Sequence, residues 1–380
     1  MDTPWINFHF DTGAFGNEIW MLLGEARSKC EHLANVPLPP DEAKELHLVS
    51  LARGVQATTA IEGNTKSIEE IRAIMLHPSQ QVRPGDYQEH EVRNVIAAYN
   101  DVLSRIQSGD VPQLTPEVIK RFNKQVLGNL DVAIHVVPGQ IRRVSVVVGN
   151  VYRAPDASDC ESLLKEMCIW LSGPPFNEDG DMKIPAAILK ASLAHLYIAW
   201  IHPFGDGNGR TARLCEYLVL VTSGVPTSAA HLISNHCNDT RDEYYRQLDR
   251  ASKTGGDVRE FLRYCVTGFV RGLTDQLDRL YVHHFRVEWK EYVATKVTGR
   301  DQGMRRRRSV IAESLLFHAP VTRGEIPLLT PPLAEIYAIA GPKTLARDLN
   351  ALESVGLIRN EDGTYVACDE VLRRRLPFRL

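Results

Sequence analysis

One segment gathers the side chains that phosphate chemistry needs: Ile201-His-Pro-Phe-Gly-Asp-Gly-Asn-Gly-Arg210, continued by Thr211, Ala212 and Arg213. His202 is its only obvious general base, because imidazole titrates near neutral pH. Asp206 lies between two glycines and is a hard oxygen ligand suited to Mg2+ beside phosphates. Gly205, Gly207 and Gly209 alternate, so the backbone can turn tightly and converge its N–H groups. A helix predicted to start at Asn208 or Gly209, with Leu214, Leu218 and Val221 buried, presents unpaired amides and the positive end of its dipole there. That makes an anion site. Arg210 and Arg213, three apart, share a helix face and can both reach phosphate oxygens. Phe204 is expected to anchor the loop in the core. Taken singly, a His beside Pro, a Gly-rich turn or an exposed Arg is ordinary structure. Base, metal ligand, anion nest and clamp in one short segment point to chemistry on a phosphate.

These residues need a scaffold, and the hydrophobic pattern supplies helices. One is expected over Pro185 to Ile201, ending just before His202, and another over Arg210 to Thr222. Upstream, Asp41 to Ile61 carries Leu46, Leu48, Leu51 and Val55 at helical spacing. Glu62-Gly63-Asn64 interrupts it with a Gly where a C-cap wants one. Ser67-Ile-Glu-Glu70 has the capping-box spacing, and Thr115-Pro116-Glu117 opens a helix through Leu127. Further helices are predicted over Glu89 to Ile106, Asp159 to Leu171 and Asp242 to Ser252, and from Val258 through His284 and beyond. The β-branched run Ile141 to Val148, turned by Gly149-Asn150 into Val151-Tyr152-Arg153, predicts a hairpin. The fold expected is mainly α.

The composition shifts over Thr298 to Arg308, ending in Arg305-Arg-Arg-Arg308. Helices are then expected over Ser309 to Phe317, Pro332 to Ile339 and Lys343 to Val355. A hairpin from Leu357 follows, turning at Asp362-Gly363. That order suggests a winged helix-turn-helix, with Lys343, Thr344, Arg347 and Asn350 on the face a DNA reader would use. Residues 303–380 hold twelve Arg or Lys against nine Asp or Glu, a balance mild for a DNA-binding domain. DNA and protein contact are equally weighted for this module.

The motif, with every fixed position matched, resembles the Fic motif HxFx(D/E)GNGRxxR. Ala191-Ser-Leu-Ala-His195 before it and Asp242 to Leu248 after it are similar to Fic flanks. The resemblance covers about Pro40 to Gly272. It implies a Fic-type helical bundle with a β-hairpin flap, and transfer of AMP from ATP to a Ser, Thr or Tyr hydroxyl of a protein, with release of pyrophosphate. It makes His202 the catalytic base, and Asp206 the holder of Mg2+. Gly207, Asn208, Gly209, Arg210, Thr211, Ala212 and Arg213 bind nucleotide, with Arg213 on the γ-phosphate. Tyr244 falls in the region that lines the adenine pocket, though it and Tyr245 could equally be core aromatics. His195 is expected to pack or hydrogen-bond rather than bind metal. The 141–153 hairpin takes the place of the flap, which docks the target by strand addition. Thr58-Thr-Ala-Ile-Glu62-Gly63 resembles the inhibitory motif (S/T)xxxE(G/N): a carboxylate beside Arg213 would occupy the partner of the γ-phosphate.

The domains expected are an N-terminal helical region carrying the inhibitory motif (1–110), a Fic core (111–275), a helical linker (276–304) and a winged-helix domain (305–380). The chain of 380 residues has a formal net charge of -3, which excludes a protein that coats nucleic acid along its length. Seven scattered cysteines without a CxxC pair argue against a disulfide framework or structural zinc. With no secretory leader and no long apolar run, a cytoplasmic setting is expected. The partners expected are ATP, a target protein on the hairpin, DNA or protein on the C-terminal module, and a second copy in a homodimer, with no membrane. Two competing activities use the same pocket: a transcription regulator or nucleotide sensor, and a hydrolase that removes AMP, with Glu62 orienting water.

Overall fold

A computed structural model describes residues 3–80, 82, 85–148 and 152–374. The chain divides into two compact units, Met1–Thr274 and Asp275–Leu380. In the first, the helices are α1 (Asn17–Asn35), α2 (Pro40–Ala60), α3 (Ile68–Leu76), α4 (Tyr87–Gln107) and α5 (Pro116–Val126). After a two-stranded ribbon, β1 (Val147–Val148) and β2 (Tyr152–Arg153), come α6 (Cys160–Ser172), α7 (Lys183–Ile201), α8 (Asn208–Thr222), α9 (Leu232–Asp239), α10 (Arg241–Lys253) and α11 (Arg259–Lys296). The protein is mainly α.

Local chemistry sets the boundaries that position the site. Ser67 caps α3 with a full capping box, its hydroxyl accepting from Glu70 N–H while the Glu70 carboxylate accepts from Ser67 N–H. Thr115 caps α5, with Pro116 in its first turn. Asp86 caps α4 by accepting from the Glu89 amide. At the centre lies α7, buried around most of its circumference and packed on α8. The stretch Gly180–Ile201 is long and apolar enough to cross a membrane by composition, yet 83% of its most apolar window is buried in the bundle. It is a core helix, and its interruptions are too few for the expectation that no such run exists.

The hairpin is shorter than the sequence predicts. Val147 pairs with Arg153 and Val148 with Tyr152, antiparallel, whereas 141–146 form no ladder. The reason is Arg142. Its backbone N–H goes to the Pro203 carbonyl, and its side chain turns inward to three other carbonyls. The Gly149-Asn150 turn and Val151 lie outside the described residues.

The second unit contains the end of α11, then α12 (Gln302–Leu315), β3 (Val321–Thr322), α13 (Pro331–Ile339), α14 (Pro342–Ser354), β4 (Ile358–Glu361), β5 (Thr364–Ala367) and α15 (Glu370–Arg373). Its sheet runs β3-β5-β4, antiparallel throughout. Phe285, Trp289 and Val293 are buried in this unit's core with Leu315, Leu333 and Leu349. Within the expected 276–304 linker, residues 285–297 therefore pack into that core. Asp348, buried, collects Arg307 Nε (3.1 Å), Arg308 Nε (2.9 Å) and the Tyr337 hydroxyl (3.0 Å). Arg307 and Arg308 of the Arg305–Arg308 run are thus engaged by this buried carboxylate.

Candidate active site

His202 terminates α7 in the left-handed region, with φ 46° and ψ 56°. A non-glycine residue is held there only when its surroundings over-determine it. Here the His202 N–H donates to Ile198 O (2.9 Å), and Arg142 Nε donates to the His202 carbonyl (2.8 Å). Arg142 also donates to the carbonyls of Val144 (2.7 Å) and Pro155. One buried guanidinium thus ties the base to both sides of the ribbon. Sequence reasoning missed it, the only signal being an Arg inside an apolar run.

The imidazole Nδ1 lies 3.4 Å from the Ala199 carbonyl. A carbonyl only accepts, so Nδ1 carries the proton and Nε2 keeps its lone pair. Burial lowers the His202 pKa below its ordinary value, with the Arg142 charge acting the same way. The Ala199 bond, Glu62 and Asp206 oppose them. The base is neutral at pH 7.

The loop is closed on itself. Phe204 N–H donates to Asn208 Oδ1, and Asn208 Nδ2 donates back to the Phe204 carbonyl, both at 2.9 Å. Phe204 itself is buried, as a core anchor should be. Asn123 on α5 braces the outside, donating to the Asp206 carbonyl (2.9 Å) and accepting from Gly139 N–H (2.9 Å). This brace too was not apparent from sequence. Gly207 caps α8 at φ 73°, a conformation that favours glycine. At Gly209 a Cβ would lie 2.2 Å from Glu62 Oε1, so only glycine lets the carboxylate approach. Thr211 is buried with its hydroxyl on the Gly207 carbonyl (2.7 Å), and Ala212 is wholly buried.

The two arginines do different things. Arg213 has no solvent-exposed side chain and meets Glu62 Oε1 through Nη2 at 2.5 Å. The same Nη2 donates to the Thr58 carbonyl (2.8 Å), while Nε and Nη1 are buried without a partner among the described residues. Unspent donors on a buried cation are what an anionic ligand would satisfy. Burial raises the Glu62 pKa, but the Arg213 charge and hydrogen bond outweigh it and hold the carboxyl below its ordinary value. Arg210 is engaged at both terminal nitrogens, Nη1 on Glu91 Oε1 (2.7 Å) and Nη2 on Asp206 Oδ1 (3.1 Å), and among the described residues only its Nε is buried without a partner.

Asp206 Oδ1 also accepts from Gly207 N–H, and the Asp206 side chain is 43% exposed. Among the described residues no group of three or more His, Cys, Asp or Glu side chains could enclose a metal ion. Tyr244 is buried, its hydroxyl 2.8 Å from His195 Nε2. His195 Nδ1 meets Glu216 Oε2 at 2.8 Å, and Ser234 completes that network on Glu216 Oε1. Tyr245, its neighbour, is exposed with Arg241 over its ring.

Residues 113–220 match the Fic/DOC family, and the chain carries a Fic domain. It is 36% identical over 212 residues to Protein adenylyltransferase fic-1 of Caenorhabditis elegans, covering 55% of this chain and 38% of the relative. It is 27% identical over 247 residues to Protein adenylyltransferase Fic of Nematostella vectensis, covering 64% and 52%. This chain thus spans from over a third to about half of the length of these relatives. The solved structure of Fic-1 (residues 134–508) of C. elegans superposes with a TM-score of 0.57 at 26% identity, over 70% of this chain and 74% of that one. A Fic family protein of Desulfovibrio desulfuricans shares the fold over 93% of this chain and 97% of its own, with a TM-score of 0.56 at 20% identity.

Proposed function

We propose that this protein is an adenylyltransferase, moving AMP from ATP to a Ser, Thr or Tyr hydroxyl of a target protein, and that Glu62 holds it off. The observation that carries the proposal is the joint placement of His202, the closed 204–208 loop and a buried Arg213 with two unspent donors. The names of the relatives support it.

The unprotonated Nε2 of His202 takes the proton of the target hydroxyl as its oxygen forms a bond to the α-phosphorus. The bond from that phosphorus to the β-bridging oxygen breaks, and pyrophosphate leaves. The α8 N-terminal amides stabilise the charge on the phosphate oxygens, and Arg213 takes the outermost phosphate. Asp206 would hold Mg2+: a single exposed carboxylate suits an ion that keeps waters and substrate oxygens as its other ligands. Bound there, Mg2+ neutralises charge on the phosphates. With Glu62 on Arg213, the γ-phosphate loses its partner, and ATP binds with the α-phosphate out of line for attack. The β1–β2 ribbon supports docking of the target segment along its edge.

For the second unit, the order α12-β3-α13-α14-β4-β5 supports a winged helix, with Lys343, Arg347 and Asn350 exposed. Salt-dependent affinity for duplex DNA would mark it as a DNA reader; its absence would leave protein contact. The seven unpaired cysteines support a reducing, cytoplasmic setting. The deciding experiment on the activity is labelling with ATP radioactive at the α-phosphate and Mg2+, comparing wild type, Glu62→Gly and Glu62→Gly/His202→Ala. Label that appears in the single variant and vanishes in the double one establishes transfer. No label in any of them, with ATP bound, overturns it.

A further inference from the structure

The segment that carries Glu62 touches the phosphate loop twice. Glu62, Gly63 and Asn64 form a tight turn at the end of α2, with Glu62 N–H on Thr59 O (3.0 Å), Gly63 N–H on Ala60 O (2.9 Å) and Asn64 N–H on Thr59 O (3.2 Å). From that turn Glu62 reaches Arg213. Asn64 reaches the other way, into α4: its Nδ2 donates to Glu91 Oε2 at 2.7 Å and to the Gln88 carbonyl at 3.0 Å. Glu91 Oε1 accepts from Arg210 Nη1 (2.7 Å), and Arg210 Nη2 holds Asp206. Asn64, Glu91 and Arg210 are all buried.

We propose that the Asn64–Glu91–Arg210 chain is a second fastening of the inhibitory segment, with Asn64 and Glu91 as positioning residues that couple it to the phosphate loop. This rests on the reading of Glu62 as the brake. The physical case is one of burial and charge. Arg210 is a buried cation balanced by Glu91 and Asp206, so Glu91 is fixed by a charge-assisted bond it cannot abandon cheaply. A fixed Glu91 presents its second oxygen at one point, and Asn64 is the donor that meets it. Removing the Asn64 amide leaves a buried carboxylate oxygen short of a partner and takes away the segment's buried tie to α4, leaving Glu62 on Arg213, the Ile61 carbonyl on Arg241 Nη2 (2.6 Å) and the exposed Thr65 hydroxyl on Gln88 Oε1 (3.0 Å). The Glu62 side chain is 32% exposed and can swing outward; the Asn64 link is the buried tie to α4 that limits how far the turn follows. Arg210 is thereby a positioning residue for both Glu91 and Asp206, and Arg213 is the open phosphate clamp.

The test uses Asn64→Ala, which deletes the donor, and Asn64→Asp, which sets a carboxylate against Glu91. Two readouts are taken on the full chain: hydrogen exchange at the Glu62 and Gly63 amides, and α-phosphate labelling. Exchange at those amides is expected to rise about tenfold with Ala and further with Asp, α7 amides being unchanged. Labelling is expected to rise several-fold with Ala, remaining below Glu62→Gly, and Asn64→Ala is expected to add nothing in a Glu62→Gly background. Wild-type exchange at Glu62 and Gly63 in both variants overturns the proposal whatever the labelling does. Faster exchange with wild-type labelling, while Glu62→Gly labels strongly, overturns the coupling to the brake. If Glu62→Gly itself gives no label, the transferase reading fails, and exchange alone decides whether the fastening exists. Should Asn64→Asp lose the fold, seen as fast exchange in α7 as well, Asn64→Ala carries the test.

Discussion

Arg213 Nη2 and Glu62 Oε1 lie 2.5 Å apart, joining residues 151 positions apart in the chain. Arg213 sits in the second turn of α8, which the phosphate loop opens, and Glu62 sits just past the end of α2. The contact therefore ties the part of the molecule that would hold nucleotide to a helix with no other role in the chemistry. Gly209 makes it possible, since any side chain there would occupy the place of the carboxylate. A pair of this kind is strong when both groups are desolvated and weak when solvent reaches it. Arg213 is desolvated and Glu62 is only partly so, which suits a contact that must be undone.

Glu62→Gly removes the contact entirely and is expected to raise labelling from α-phosphate-labelled ATP by about ten- to a hundredfold, a range that allows for the exposure of the carboxylate. Glu62→Gln keeps an oxygen that accepts from Nη2 but loses the charge. Its labelling is expected to fall between wild type and Glu62→Gly. Equal labelling by the two variants would show that charge alone carries the brake.

The pH dependence follows from the two lowered pKa values. Burial holds His202 below the ordinary histidine value, so the acidic limb of the labelling rate is expected below pH ~6.5. Glu62 raises the His202 pKa, so Glu62→Gly moves that limb further down. Glu62 itself stays ionised through this range because Arg213 holds it low. Its stabilising contribution is present above the ordinary carboxylate value and is lost only as pH falls through the lowered one. Mild acid is therefore expected to leave the Glu62–Arg213 contact in place. Initial rates of wild type and Glu62→Gly measured from pH 4.5 to 8 test this, and a limb above pH ~7 in Glu62→Gly would contradict it.

What was legible in the sequence was local. The loop from His202 to Arg213 declared itself because base, glycines and cations are contiguous, and the α3 capping box because its partners are three residues apart. The α2 break at Glu62-Gly63 was visible for the same reason. Arg142, Asn123 and Glu91 were not: each acts on a partner about sixty or more positions away, at His202, Asp206 and Arg210. Nothing in a single sequence marks which buried Arg or Asn the fold will use that way. The predicted strand over 141–146 failed because its β-branched residues speak for extended backbone, while Arg142 directs where the hydrogen bonds go. Helices α1 and α9 went unassigned, the first behind an irregular aromatic stretch and the second because it has only eight residues.

Arg142 offers the next prediction. Its guanidinium serves three carbonyls, at His202, Val144 and Pro155, and its amide a fourth at Pro203. Arg142→Ala leaves buried carbonyls unpaired and frees the strained His202 backbone. In a Glu62→Gly background it is expected to lower labelling by at least about tenfold, whereas Arg143→Ala, at an exposed neighbour, is expected to change it less than twofold. ATP affinity measured by calorimetry should stay near that of Glu62→Gly, because the phosphate amides and Arg213 are untouched. A loss of ATP binding equal to the loss of labelling would place Arg142 in the nucleotide site instead.

The last prediction concerns the seat of α2, and through it the position of Glu62. His231 stands between α2 and α8, stacked on Tyr217 at 4.6 Å and edge-on to Tyr99 at 4.7 Å. Its Nδ1 is buried without a hydrogen-bond partner among the described residues, and a Cβ on Gly54 would lie 2.2 Å from it. Burial, helped by the nearby His47, pushes the imidazole down to about 3. The folded protein therefore excludes a proton that the unfolded chain accepts below its ordinary value near 6.5. Stability contributed by the neutral ring is complete above that value and falls as pH drops from about 6.5 toward 3, by at most about 1.4 kcal/mol per pH unit. Urea midpoints of wild type at pH 7, 6, 5 and 4 should decline accordingly. His231→Phe keeps an aromatic ring on Tyr217 and removes the titration, so its decline should be shallower over the same interval, with His47, His202 and His236, and near pH 4 lowered carboxylates such as Glu62, supplying what remains. Gly54→Ala should displace α2 and raise labelling while lowering the midpoint at every pH. Parallel declines for wild type and His231→Phe would show that His231 takes up its proton without opening the seat.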